Sequence, residues 1–198
     1  MKKILITGST GFVGSSLINF FLSKKYKIFA LTRKKKKNLK IKYIQADIFD
    51  HKKINKIFRQ IKPNYLIHLA WVANPNKYQN SITNFKWLHS SLNLYLNFCK
   101  NGGTRALVTG SCAEYDFNKY FLKEGLVKKK NYTRYSLCKE TFLHHSSKIS
   151  EIFNTQLVWA RLFWIYGKNQ KKGRLIPDII NAAKNKKKIL IKNPNFFI

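Results

Sequence analysis

Apolar positions along this chain change their spacing repeatedly, and each change marks an element. Ile4-Leu5-Ile6 is a short unbroken apolar run that reads as a buried parallel strand. Glycines at 8, 11 and 14 follow it, overlapping Phe12, Val13, Leu17, Ile18, Phe20 and Phe21 at helical spacing. Further strands are expected at 27–32, 41–46, 65–70, 105–109 and 155–161. A helix is expected over 51–60, with Ile54, Ile57, Phe58 and Ile61 on one face. A longer one over 82–100 carries Phe85, Leu88, Leu92, Tyr95, Leu96 and Cys99 as its stripe, with Trp87 on the packed face, and Asn101-Gly102-Gly103 ends it. Another helix contains Tyr135 and runs on through Phe142, Leu143 and Ile149. Strands alternating with helices predict an α/β fold: a doubly wound parallel sheet with helices on both faces and ligand at the carboxyl ends of the strands.

Composition narrows the class. The 198 residues are 44% hydrophobic and 15% aromatic, enough for a packed core. No apolar run approaches the roughly 20 residues of a membrane span. Met1-Lys2-Lys3 before Ile4 imitates the start of a signal peptide, but Thr7-Gly8-Ser9-Thr10 cuts the apolar stretch short. Cys99, Cys112 and Cys138 lack metal-ligand spacing and suggest a reduced, cytoplasmic chain without a disulfide framework. The net charge of +31 comes from lysines scattered over nearly every surface segment, while arginine, the residue suited to bidentate phosphate and base contacts, occurs six times. That pattern reads as compositional bias. Non-specific phosphate attraction at low salt is expected, and a dedicated nucleic-acid site is not.

The glycines carry the first chemistry. Gly8 lets the chain turn sharply off its strand, Gly11 admits a pyrophosphate to the backbone, and Gly14 lets the helix lie close to the strand. The first helical N–H groups, at Phe12 and Val13, then face phosphate. With Thr7 ahead of it, the Gly-x-x-Gly-x-x-Gly spacing resembles the extended short-chain dehydrogenase/reductases, the nucleotide-sugar-modifying NAD-dependent epimerase/dehydratase branch. That resemblance implies a Rossmann fold over 1–167 and, over 168–198, only the start of a substrate lobe. Leu175–Ile180 would be its first helix, and 188–191 a strand. Arg33, at the end of the second strand, suits the 2′-phosphate of NADP in preference to NAD, or merely begins a solvated basic loop. Asp47, beside Ile48, matches the residue that bonds the adenine amino group; capping the next helix is the competing role. His68-Leu69-Ala70-Trp71 resembles the family's His-Leu-Ala-Ala, where Leu69 and Ala70 pass the middle of the cofactor. Trp71 replaces a small residue, and either leans over a ligand or caps the pocket. His68 reads as a strand histidine, not a base.

Ser111 and Tyr115 keep the family's strand-end spacing, with Asp116 where glycine is common, and Tyr135-x-x-x-Lys139 matches its catalytic pair. Arg161 and the later Tyr166-Gly167 resemble the segment that leads toward the substrate lobe. The resemblance implies Tyr135 as acid/base, Lys139 lowering its pKa and holding the nicotinamide ribose, and Ser111 orienting the reacting oxygen. The substrate would be a nucleotide-diphosphate sugar. Cys112 and Ala113 stand where dehydratases carry acids, so epimerisation or reduction is favoured over dehydration. A truncated, catalytically silent cofactor binder is the alternative, and a polyanion binder a more distant one. Relatives often pair through the helices near 82–100 and 132–150, which implies a homodimer.

Overall fold

The computed structural model describes residues 1–72, 78–117, 121–124, 132–167, 170 and 173–188. In chain order the elements are β1 (Lys3–Thr7), α1 (Phe12–Leu22), β2 (Lys27–Thr32), β3 (Ile41–Gln45), α2 (His51–Ile61), β4 (Tyr65–His68), α3 (Thr83–Lys100), β5 (Arg105–Ser111), α4 (Arg134–Phe153), β6 (Gln156–Leu162) and α5 (Leu175–Lys184). The strands form one sheet in the order β3-β2-β1-β4-β5-β6, and every pair is parallel. The chain winds outward one way from β1 and the other way from β4, which opens a crevice at their carboxyl ends.

Both faces of the sheet are apolar, which is why its central strands read as unbroken runs. Leu5, Phe29, Leu66, Ala106 and Val108 share one core with Ile54 and Phe58 of α2, Leu94, Tyr95 and Phe98 of α3, and Phe142 of α4. Ile4, Ile6, Ile28, Ala30 and Ile67 share the other with Ile18 of α1. Asp50 caps α2 by accepting from the Lys53 N–H at 2.9 Å. Such a cap contributes about 1 kcal/mol, whereas burying Phe58 contributes about 1.5–3 kcal/mol, so the apolar face is the main hold on α2.

Three expectations change. Asp47 does not cap α2; its Oδ1 accepts from the Phe49 N–H at 3.0 Å and Asp50 takes the cap. β4 stops at His68: after a long bond from Leu69 N–H to Thr7 O at 3.3 Å, the Ala70 N–H turns to the Thr7 side chain, Oγ1 at 3.2 Å, instead of a backbone carbonyl. The α3 stripe is broader than expected: Tyr95 and Cys99 are buried and Trp87, Leu88 and Leu92 pack against the core as expected, but Leu94, Phe98, Asn84, Ser90 and Ser91 are buried too, while Phe85 is exposed. α3 packs on both α2 and α4, and its inward polar residues are hydrogen-bonded, a pattern that hydrophobic spacing assigns to solvent. The ending of α3 is as expected, with Gly102 at φ +81° and the Gly103 N–H reaching Phe98 O at 3.0 Å.

The chain divides into two compact units, Met1–Phe163 and Trp164–Ile198. The second contains α5, where the Gly173 N–H donates to Asp178 Oδ1 at 3.0 Å. The strand expected over 188–191 falls, from residue 189 on, outside the described residues. Among the described residues no helix is long and apolar enough to cross a membrane.

Candidate active site

The turn after β1 is built by backbone proximity. Gly8 has φ +66°, and a Cβ there would lie 2.9 Å from both Ala70 N and Leu69 C. The Gly11 N–H closes the turn onto Gly8 O at 2.9 Å, and Ser9 Oγ donates to Leu31 O at 3.1 Å, tying the turn to β2. α1 starts at Phe12 with no side-chain cap and no acidic residue in its first turn. Its leading N–H groups, at Phe12, Val13 and Gly14, are therefore left to an outside acceptor. This uncapped helix start behind a glycine turn fits the pyrophosphate of a dinucleotide.

Thr7 and His68 brace it from below. The Ala70 N–H donates to Thr7 Oγ1, Thr7 Oγ1 and His68 Nδ1 share a hydrogen bond at 2.7 Å, and His68 Nε2 and Ser91 Oγ share another at 2.9 Å. Burial, with Lys139 nearby, pushes the His68 pKa down to about 3. His68 is thus a structural link among β1, β4 and α3, as its place in the sequence suggests.

The second group of residues converges at the end of β5. Thr133 and Ser136 form a reciprocal capping box that starts α4, which sets Tyr135 in its first turn and Lys139 one turn later. The Tyr135 N–H donates to Gln79 O at 2.8 Å, and Arg134 Nη1 bonds Asn80 O. Tyr78 meets the Tyr135 ring edge-on at 4.8 Å. Ser111, at the end of β5, lies near enough to the Tyr135 hydroxyl to act on its pKa. Ser111 and Tyr135 are therefore together, as expected.

Lys139 is placed differently from expectation. It is 2% exposed, donates to Thr109 O at 2.7 Å, and lies 4.0 Å from the centre of the Trp71 ring. Trp71 therefore covers Lys139. Its indole N–H donates to Asn84 Oδ1 at 2.9 Å, and the ring stacks on Phe142 and Trp87. Burial pushes the Lys139 pKa down to about 7, opposed by the negative charge of Glu114. Burial likewise pushes Tyr135 up to about 12, against the Ser111 hydrogen bond that lowers it. The Tyr135 pKa is therefore raised in the chain alone, with burial as the largest cause.

Arg33 is exposed just past β2, and its backbone carbonyl accepts from Gln45 Nε2 at 3.3 Å. Asp47 is half-buried beyond β3, and Ile48 is buried in the core. Several residues of the site were not legible beforehand. Ser9, Asn84 and Thr109 act through small polar or backbone groups that carry no sequence pattern. Glu114 had a signal, being one of only eight acidic residues and adjacent to a strand end.

Comparison with known proteins agrees with this fold. A family model described as "NAD dependent epimerase/dehydratase family" matches residues 4–194. A "dTDP-D-glucose 4,6-dehydratase" of Dictyostelium discoideum is 27% identical over 96% of this chain, and the chain spans 50% of that relative. The UDP-N-acetylglucosamine 4-epimerase structure from Bacillus cereus is similar with a TM-score of 0.78 and 19% identity, covering 96% of this chain and 64% of that one. The Thermus thermophilus UDP-glucose 4-epimerase complex with NAD gives a TM-score of 0.76 and 19% identity, covering 85% of this chain and 57% of that one. At these identities the structural likeness speaks for the fold.

Proposed function

This chain belongs to the NAD dependent epimerase/dehydratase family, and from that premise we propose that it binds NADP, or NAD less well, and epimerises or reduces a nucleotide-diphosphate sugar. Residues 1–167 would hold the cofactor and 168–198 would begin the sugar-binding lobe. The observation that carries this reading is the convergence of Ser111, at the end of β5, on Tyr135, with Lys139 one turn along α4.

Loss of hydride from a secondary alcohol requires a base for the hydroxyl proton. Tyr135 would take that proton, and in the reductive direction return it to a keto-sugar. Ser111 would hold the same oxygen in line. Lys139 would hold the ribose hydroxyls and favour the phenolate, which requires the Trp71 ring to yield the ammonium face. When bound, the cofactor supplies the hydride acceptor or donor and, when oxidised, a positive ring beside Tyr135. The glycine turn and the first turn of α1 would hold its pyrophosphate, Leu69 and Ala70 would flank its middle, and Asp47 its adenine. Cys112 and Ala113 offer no acid for dehydration, and Glu114 is already engaged beneath Ser111.

A second reading, a cofactor binder without turnover, is favoured by the burial of Lys139 beneath Trp71. The cofactor preference is tested by calorimetric titration with NADPH and NADH at physiological salt, with pyrophosphate as the control for bare charge. No acidic residue stands between 33 and 46 to receive ribose hydroxyls, and Arg33 offers a charged partner to a 2′-phosphate. NADPH should bind on the order of tenfold tighter. Tighter binding of NADH would reject the role given to Arg33, and binding no tighter than pyrophosphate would reject the site.

A further inference from the structure

The amino ends of β2 and β3 frame a groove of about 470 Å³, at the opposite end of the sheet from the crevice. The loop that joins the two strands forms part of its wall, and the Lys40 N–H donates to Asn38 Oδ1 at 2.8 Å as the chain turns into β3. Lys27, Lys36, Lys37, Lys40 and Lys42 line it, and all five are exposed. No acidic residue lines it, and the chain has none before Asp47. Among the described residues none of these ammoniums is ion-paired. Three of them lie over aromatic rings instead: Lys36 Nζ is 6.0 Å from the centre of the Tyr43 ring, and Lys27 and Lys42 Nζ are each 5.9 Å from that of Phe29. Tyr26 and Tyr43 also line the groove and are half-buried, with Tyr26 held edge-on by Phe21 at 5.6 Å and Tyr65 at 5.9 Å. Along the chain these lysines look like part of a general excess. In the fold they meet.

We propose that this groove binds the backbone of a single-stranded nucleic acid, without sequence preference, with bases laid against Tyr26 and Tyr43. Like charges around a concave wall repel, and the low-dielectric wall focuses their field on an incoming anion. One phosphate would leave most of the five charges unmatched, whereas a run of phosphates matches them. Lysine offers point charges and not the planar fork that reads a base edge, so the wall tracks a backbone and not a sequence. The tyrosines add flat apolar faces, on which the unpaired bases of a single strand can stack. A basic groove with aromatic faces is the combination that single strands require. The volume also falls within the range of pockets that hold small ligands. The groove shares no lining residue with the glycine turn, Arg33 or Asp47, so the inference stands apart from the function proposed above.

The test is fluorescence anisotropy of a labelled oligothymidylate of about 12 nucleotides, titrated with the whole chain from about 50 to 200 mM salt. The triple variant Lys36→Gln, Lys37→Gln, Lys40→Gln changes only exposed loop positions. It should weaken binding roughly tenfold or more and flatten the slope of log affinity against log salt by about 2, at about 0.7 for each lost single-strand contact. The control triple Lys52→Gln, Lys53→Gln, Lys56→Gln removes the same charge from exposed positions on α2, outside the groove. It should change both quantities by less than half as much. Equal losses in the two triples would reduce the binding to bulk charge and overturn the proposal. Tyr43→Leu keeps apolar bulk and removes the ring. It should weaken oligothymidylate by about fivefold or more and leave inorganic polyphosphate unchanged. Equal losses for both ligands would overturn the assignment to nucleic acid. Should Tyr43→Leu fail to fold, the parent chain decides: polyphosphate bound as tightly as oligothymidylate would overturn it too. Saturating NADPH should leave the oligothymidylate affinity unchanged, and displacement would put the strand in the dinucleotide site and reject the groove. A chain that binds oligothymidylate through the groove but no NADPH would remove the function proposed above and leave this one standing.

Discussion

Tyr135→Phe is expected to bind NADPH like the parent and to lose turnover by about 10²–10⁴-fold, the usual contribution of a positioned acid/base. The substitution removes one oxygen and leaves the ring in place. That ring is held edge-on by Tyr78 at 4.8 Å and lies 6.4 Å from Trp71, and the Tyr135 backbone stays pinned to Gln79. The thermal midpoint should therefore change little. The group lost is the phenolic hydroxyl that lies beside Ser111. The measurement is steady-state turnover of nucleotide sugars beside a cofactor titration of both proteins. Equal turnover would remove Tyr135 as the acid/base. No turnover in either, with binding intact in both, would select the silent cofactor binder.

Gly14→Ala should cost both the cofactor site and much of the stability. Its Cβ would lie 2.2 Å from Gly8 O and 2.8 Å from Ser9 Cα, both backbone atoms. Neither has freedom to move: Gly8 O already accepts from Gly11, and Ser9 is tied to Leu31. α1 must shift away from β1 instead, carrying the cradle N–H groups with it. Alanine gains about 1 kcal/mol over glycine in helix propensity. An overlap within a rigid turn costs at least the roughly 1–3 kcal/mol of ordinary overpacking, so the net effect is destabilising. NADPH affinity should fall by at least about tenfold. Gly102→Ala is the control, since its Cβ would meet nothing within 4 Å and only the positive φ is strained. An unchanged midpoint and affinity in Gly14→Ala would sink the idea that the close approach is required.

Much of this arrangement could be read from the chain because it is local. The strand runs, the glycine turn and the Tyr-x-x-x-Lys pair each depend on neighbours within a few residues. Contacts between distant segments left no such trace. Nothing near Trp71 in sequence indicates that its ring covers Lys139, because the partners come from α3 and α4. The polar part of the buried α3 face was hidden for a related reason: Asn84, Ser90 and Ser91 face inward because Trp71, His51 and His68 meet them there. The reversed pKa shift of Tyr135 is likewise a property of burial, which spacing does not report.

The buried amine on α4 also sets how the fold responds to acid and alkali. Lys139 releases its proton near pH 7 when folded, while an unfolded lysine keeps it to its ordinary 10.5. Between those values the unfolded chain binds more protons, so raising the pH favours the native state. His68 acts in the same sense at lower pH, from about 3 folded to its ordinary 6.5. Above pH 10 the tyrosines reverse the trend, because Tyr135 holds its proton to about 12 when folded but to 10.0 when unfolded. The protein should therefore be an alkaline-preferring fold, with a thermal midpoint that climbs from pH 7 toward 10 and falls beyond it. A midpoint that declines steadily over pH 7–10 would show that Lys139 is not held as the structure places it.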